Sequence, residues 1–367
     1  MTTLWGESFA RTDLLRRVGG LEQVAGVRLL TLGDGVERGV RLLEFRTGTG
    51  FVFDVVVDRA FDIGRCELSG KALGWQSGVG FAHPAYAEHD ASLGWLRTWG
   101  GGLLTTCGLE HALFMAEDTA QQYHYAPKDR EAFGLHGRIS NRPARLTGYG
   151  GRWDGDACTL WAKGEVLQAS MFGEHLRLTR RIEAVVGESR LAIHDVVENV
   201  GWDPTPHMLL YHINIGFPVL DEGAEILVPT ASVTPRGDYP ADGYRTIDAP
   251  EPNHYERVFE HEILAEADGK VPVAVVNRAR GIGAYEVYDA AQLPHHLVWR
   301  MLGQGSYVIG IEPSTNRTAG RLDAKERGEL ITLAPGETRT YDLELGALDG
   351  PAEIDAFADR VQALGGI

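Results

Sequence analysis

The chain has 367 residues, 44% hydrophobic and 23% charged, a balance that fits a folded protein with a sizeable core and argues against disorder. Its net charge of −16 comes without any basic block, which argues against nucleic acid and anionic membranes as partners but leaves a small ligand open. No secretory leader or spanning helix is expected, and the three scattered cysteines, Cys66, Cys107 and Cys158, suit neither a disulfide framework nor paired zinc knuckles, so a reduced, cytoplasmic compartment is expected.

In chain order, DLLRRVGGLEQVAG predicts one or two short helical turns interrupted at Gly19–Gly20. Arg41–Thr47 and Gly50–Asp58 read as strands joined by the glycine-rich TGTG. Gly78–Leu93 is expected to be a long loop. Gly164–Met171, His175–Val186 and Arg190–Asn199 form three runs separated by FGE and GES, short enough for hairpins, and their alternation predicts one wet and one buried face. Further β-runs follow at His207–Phe217 and Glu225–Pro229. A second long loop, Gly237–Tyr255, precedes runs at Val271–Asn277, Gly283–Tyr288, Leu297–Arg300, Ser306–Ile311 and Arg339–Leu345. The last element is a helix at about 351–365, with Ile354, Phe357, Val361 and Leu364 on one face. So many short strands predict an all-β sandwich or barrel with a few peripheral helices. The simplest organisation is one domain over 1–367, with an N-terminal extension at about 1–24.

Three stretches concentrate polar groups beside strands. GLHGRISN sets His136 and Arg138 around Gly137, where glycine permits close backbone approach; a solvated turn is the alternative. LLYHINIGFP places His212 and Asn214 on one face of an apolar strand, with Tyr211 and Ile213 opposite; a core histidine with satisfied hydrogen bonds is the alternative. In YVIGIEPSTNR, Glu312 is expected to end its strand at Pro313, where burial would raise its pKa toward that of a general base; a surface strand end is the alternative. There is no Gly-x-Ser-x-Gly elbow, P-loop or His-Glu-x-x-His motif.

These stretches, in this order, resemble the galactose mutarotase-like, or aldose 1-epimerase-like, superfamily. There a Leu-His-Gly turn precedes a strand carrying His and Asn, and a late strand carries Glu-Pro. VDRAFDIGRCELSGKALGW, GGLLTTCGLEH, GLHGRISN and GIEPSTN are similar to a subgroup of unsettled function, over about residues 25–345. The resemblance implies a large antiparallel supersandwich. It also implies that Glu312 is the general base at the anomeric hydroxyl, that His212 is the general acid at the ring oxygen and that His136 is a second histidine nearby. Both steps are proton transfers, so no cofactor is implied.

The mutarotase strand normally reads Asn-His-x-Tyr-Phe-Asn-Leu, whereas this chain has Leu210-Tyr211-His212-Ile213-Asn214-Ile215-Gly216. For the aspartate that grips sugar hydroxyls, Asp289 is a weak counterpart. Other polar positions open to a substrate role are Arg59, Asp62, Arg138, Trp299, Arg300, Asn214 and Asn316. Arg59 with Asp62 could instead form a structural ion pair, and Trp299 could be core. Glu110 and His111 could join His136 and Glu312 in a metal set, a minority reading beside no metal. Cys107 reads as an inert buried thiol.

The expected function is a sugar mutarotase or epimerase of cytoplasmic sugar catabolism, acting on a small sugar or sugar derivative, and a homo-oligomer is open. The alternatives are a lyase or isomerase acting on an oxidised (keto) sugar or glycoside, and a non-catalytic sugar-binding protein.

Overall fold

A computed structural model of the chain describes residues 1–366 apart from 89, 121, 122, 126 and 127. Residue 89 of the expected Gly78–Leu93 loop therefore lies outside the described residues. The architecture is all-β, built on two large antiparallel sheets.

The eight-stranded sheet runs, in spatial order, Arg145–Asp154, Ala157–Ala169, His175–Val185, Arg190–Asn199, Thr338–Asp349, Ile282–Asp289, Lys270–Asn277 and Glu225–Leu227. The twelve-stranded sheet runs Thr230–Pro235, Arg257–Ile263, His295–Gly303, Ser306–Ser314, Thr205–Ile215, Leu104–Leu109, Asp62–Leu68, Phe51–Val56, Arg41–Arg46 and Gly26–Thr31. Ile331–Leu333 and Lys71–Ala72 pair off that path.

Side-chain alternation explains the layers. Along His175–Val185 every second residue is buried, so that sheet keeps one partly wet face. Thr205–Ile215 is buried at every position but Pro206, so its sheet is covered on both sides. The inner faces meet in a core that includes Phe45, Ile63, Tyr211, Ile213, Val298 and Ile311 against Leu160, Leu178, Ile182, Ile193 and Leu343. The outer face of the larger sheet carries a second cluster. There Met208, Leu210, Val258 and Leu297 pack beneath Trp95, Trp99, Ala112, Leu113 and Leu135, which arrive on connecting segments. Those segments create the hollow described below.

Polar groups cross between the sheets in pairs, as burial requires. The Arg180 guanidinium donates to Asp195 at 2.9 and 2.7 Å and to Asp62 at 2.7 Å, and the Tyr211 hydroxyl donates to Asp195 at 2.6 Å. Asp62 thus pairs with Arg180 and not with Arg59, because its strand turns the carboxylate into the sandwich. His207 bridges the Leu109 carbonyl at 2.9 Å and the Tyr341 hydroxyl at 2.8 Å. His296 Nε2 stands 2.8 Å from Glu286 Oε1, each on a different sheet. All three cysteines are free and buried.

The C-terminal helix spans Pro351–Gln362 and buries Ile354, Phe357 and Val361 against Ala274, Val276 and Leu348; Leu364 follows it, half-buried. Short helical turns occur at Arg11–Leu15 and Leu21–Gln23. Among the described residues no helix is long and apolar enough to cross a membrane. One boundary differs from expectation in a way that matters: the strand continues through Glu312 and Pro313 to Ser314. Pairing with Thr205–Ile215 lapses opposite the proline, which has no N–H to give, and resumes at Ser314–Leu210.

Candidate active site

Strand register assembles the site. Ile311 pairs with Ile213 and Ser314 with Leu210, so the same register sets Glu312 opposite His212. On the other side Leu297 pairs with Glu312, Trp299 with Gly310 and Val258 with Trp299. Directly opposite residues share a face. Glu312, His212, Leu297, Trp299 and Val258 therefore project together from the outer face of the larger sheet. Gly310 lies two residues before Glu312 on that face, and a Cβ there would collide with the Glu312 carboxylate.

His136 arrives from outside the sheet on the Gly134–Arg138 turn. Its φ is 56° and that of Gly137 is 71°. The turn is tied down by His136 N–H to the Leu113 carbonyl at 2.7 Å and Arg138 N–H to the Gly108 carbonyl at 3.0 Å. At Gly137 a Cβ would strike the carbonyl oxygens of His111 and Gly108, so glycine is required.

The three titratable groups line one cavity of about 550 Å³, with Trp95, Trp99, Trp299, Leu113, Phe114, Arg236 and Glu256 among its other walls. His212 Nε2 lies 3.2 Å from Glu312 Oε1 without hydrogen-bond geometry, and the His136 and His212 ring centroids are 5.5 Å apart. The indoles are fixed through their N–H groups: Trp95 to Ser140 at 2.8 Å, Trp99 to Thr105 at 3.0 Å and Trp299 to Glu256 at 2.8 Å. Trp99 and Trp299 stand 5.0 and 5.2 Å from the His212 ring, and Trp95 stands 4.7 Å from His136.

This wall of rings sets the electrostatics. Burial, reinforced by the charges of Glu256 and Glu286, holds the Glu312 carboxyl well above its ordinary pKa. Burial pushes His136 down to about 3. It also pushes His212 well below the usual range, with His136 adding to the shift and the Asn214 side chain opposing it. Burial therefore disfavours charge on all three groups, raising the carboxyl and lowering both imidazoles. His136 Nδ1, His212 Nδ1 and Glu312 Oε1 have no hydrogen-bond partner within the protein, so their bonding capacity is unspent.

The other sequence candidates separate by strand face. Trp299 lines the cavity; Arg300, one residue on, points to the opposite side, where it donates to the Gly243 carbonyl and lies 3.2 Å from Asp248. Asn214 shares the His212 face, but its amide donates to the carbonyls of Gly102 and His212, bracing the strand. Arg138 faces a neighbouring hollow of about 320 Å³ and pairs with Glu110 at 3.0 Å and with Glu174. Arg59 is buried on the carbonyls of Ser140 and Ala82, and burial lowers its pKa to about 10. Asn316 accepts from the Thr315 hydroxyl at 2.7 Å. Asp289 pairs with Lys270 at 3.4 Å on the other sheet, so it supplies no grip on a sugar here.

The metal set does not assemble. Glu110 is engaged by Arg138 and Gln168, and His111 Nε2 lies 2.9 Å from the Phe114 carbonyl, while His111 Nδ1 is buried with no hydrogen-bond partner in the protein. Among the described residues no three His, Cys, Asp or Glu side chains group as metal ligands.

Among the wall residues that the sequence reading did not name are Trp95, Trp99 and Phe114 and two charged ones, Arg236 and Glu256. Arg236 and Glu256 stand immediately before and after the expected Gly237–Tyr255 loop, and that flanking position is the one signal that could have found them.

A family model described as a domain of unknown function, DUF4432, matches residues 37–347. No curated protein matches the sequence. Among solved structures, a candidate aldose 1-epimerase from Klebsiella pneumoniae is 26% identical, with a TM-score of 0.85 over 94% of this chain and 91% of that one. A galactose mutarotase-like protein from Clostridium acetobutylicum is 12% identical, with a TM-score of 0.61 over 88% and 98% of the two chains. A galactose 1-epimerase from Lactobacillus acidophilus is 12% identical, with a TM-score of 0.57 over 89% and 99%. The fold is that of the galactose mutarotase-like proteins.

Proposed function

The chain belongs to the DUF4432 family, and from that premise we propose that it acts as one unit that binds a sugar in the Glu312 cavity and interconverts its anomers, in cytoplasmic sugar catabolism. The observation that carries this reading is the convergence of Glu312, His212 and His136, from three distant stretches, on one cavity walled by Trp95, Trp99 and Trp299. Indole faces suit the C–H surface of a pyranose, and the titratable groups suit its oxygens.

Opening the ring removes a proton from the anomeric hydroxyl O1 and delivers one to the ring oxygen O5, as the C1–O5 bond breaks and the C1–O1 double bond forms. Rotation about C1–C2 and closure on the other face return both protons. Glu312 serves O1 and His212 serves O5, as the resemblance implies, with His136 next to His212. Opening and closing exchange the roles of acid and base, so the pair needs one proton between two sites. Burial disfavours charge on both groups and so holds that proton on Glu312 in the free protein, and ring opening would first need it to pass to His212, whose Nε2 lies 3.2 Å from Glu312 Oε1.

The test is anomer exchange measured by proton NMR over a panel of aldoses, uronates and sugar phosphates. The parent protein should accelerate exchange of at least one sugar, and Glu312→Gln should abolish the acceleration while sugar binding persists. A parent protein that accelerates none of them, but consumes 3-keto-glycosides or only binds sugar, would overturn the reading.

A further inference from the structure

Arg236 is an exposed cation at the cavity wall. Among the described residues its guanidinium makes no ion pair and no side-chain hydrogen bond. Instead its central carbon sits 3.4 Å from the centroid of the Phe114 ring, which also lines the cavity. Stacking on an aromatic face holds a guanidinium in place and leaves its in-plane N–H donors free for a partner. The backbone is fixed as well, by Arg236 N–H to the Val258 carbonyl at 2.9 Å. Glu256 lines the same cavity, yet it takes the Trp299 indole N–H and lies outside ion-pairing range of Arg236.

Register gives the distance from Arg236 to the reacting groups. Pro235 pairs with Phe259, so Arg236 falls beside Val258, which pairs with Trp299, which pairs with Gly310. Three inter-strand steps of about 4.8 Å each put the Arg236 backbone on the order of 14 Å from the strand that bears Glu312. Both side chains line the same cavity of about 550 Å³, several strands apart.

We propose that Arg236 binds an oxyanion carried by the sugar at the end of the ring remote from the anomeric carbon. The substrate class is then acidic sugars, either uronates or sugars phosphorylated at the exocyclic carbon. The inference rests on the anomerase reading and narrows its substrate. In a chain of net charge −16 an anion needs a local cation to enter, and this guanidinium supplies one in a geometry suited to two parallel hydrogen bonds.

The experiment compares glucuronate and glucose 6-phosphate with glucose, in anomer exchange and in binding by calorimetry, for the parent protein, Arg236→Gln and Arg236→Lys. The parent should prefer at least one acidic sugar by about 10- to 100-fold in kcat/KM, expressed mainly in KM. Arg236→Gln should collapse that ratio toward one, and Arg236→Lys should keep part of it, and whichever acidic sugar shows the effect identifies the carboxylate or the phosphate. Exchange of neutral and acidic sugars at equal kcat/KM, or a preference that survives Arg236→Gln, overturns the anion site and leaves the anomerase reading standing. With no exchange of any sugar, the anomerase reading fails while the calorimetry still decides. Loss of glucuronate or phosphosugar binding in Arg236→Gln supports the site, and equal binding to both proteins overturns it.

Discussion

Among the described residues there are two buried histidine–glutamate pairs, carried on four different strands and linked by the register of His295–Gly303 with Ser306–Ser314. Leu297 pairs with Glu312 and His296 with Pro313, so a single step along the strand turns the chain from the cavity to the interior of the sandwich. On the cavity side His212 and Glu312 lie 3.2 Å apart without hydrogen-bond geometry. On the interior side His296 and Glu286 lie 2.8 Å apart and hydrogen-bonded, both fully buried. Burial shifts the two pairs in the same directions, carboxyl up and imidazole down. A perturbed pKa is therefore no mark of chemistry here; what separates the pairs is a cavity within reach of one of them.

The sharpest break is to swap the same atom in each pair. Glu312→Gln should lower anomer exchange by about 10²- to 10⁴-fold with little loss of stability. Glu286→Gln should leave the exchange rate near that of the parent, because this carboxyl touches no substrate. Rates of both variants beside their thermal midpoints check the contrast; an inactive, well-folded Glu286→Gln would erase it.

Stability should show the converse. His296→Ala leaves the buried Glu286 carboxyl without its partner and should cost about 1–3 kcal/mol in urea unfolding. His212→Ala opens onto the cavity, where water can replace the ring, and should cost less while lowering exchange.

The pH dependence is shared by both regions. His136 and His296 are held neutral down to about 3 in the folded chain, against 6.5 when unfolded. Below pH 6.5 the unfolded chain takes up protons that the folded chain refuses, so stability should fall progressively between about 6.5 and 3. Glu286 and Glu312 work the other way: their raised pKa values mean that stability is lost as pH rises through them. Urea midpoints across pH 4–8 should flatten on the acid side in His136→Asn. The smallest effect is expected for Arg300→Met, which loses the Gly243 and Asp248 contacts and should change exchange far less than Trp299→Ala.

The sequence was most legible where one face is wet. His175–Val185 and Arg190–Asn199 alternate so cleanly that their pattern alone predicts them. Arg145–Asp154 was missed because its GYGG carries no side-chain pattern, and Arg257–Ile263 because RVFEHEI mixes charge into a strand near the sheet edge. Of the site, His136, His212 and Glu312 stood out as polar residues set in apolar or glycine-rich runs. Arg300 was misjudged by strand parity, since Trp299 and its successor cannot share a face. Arg236 and Glu256 carry no pattern of their own: only their place at the two ends of the long loop marks them, and the neighbouring strands bring them to the cavity wall.

Gly310 has a consequence of its own. In the proposed reaction the Glu312 carboxyl would need space to pivot at the ring, and Gly310 beneath it leaves that space by having no side chain. On that reading, one added methyl group there would press on the carboxylate while leaving Glu312, His212 and His136 in place.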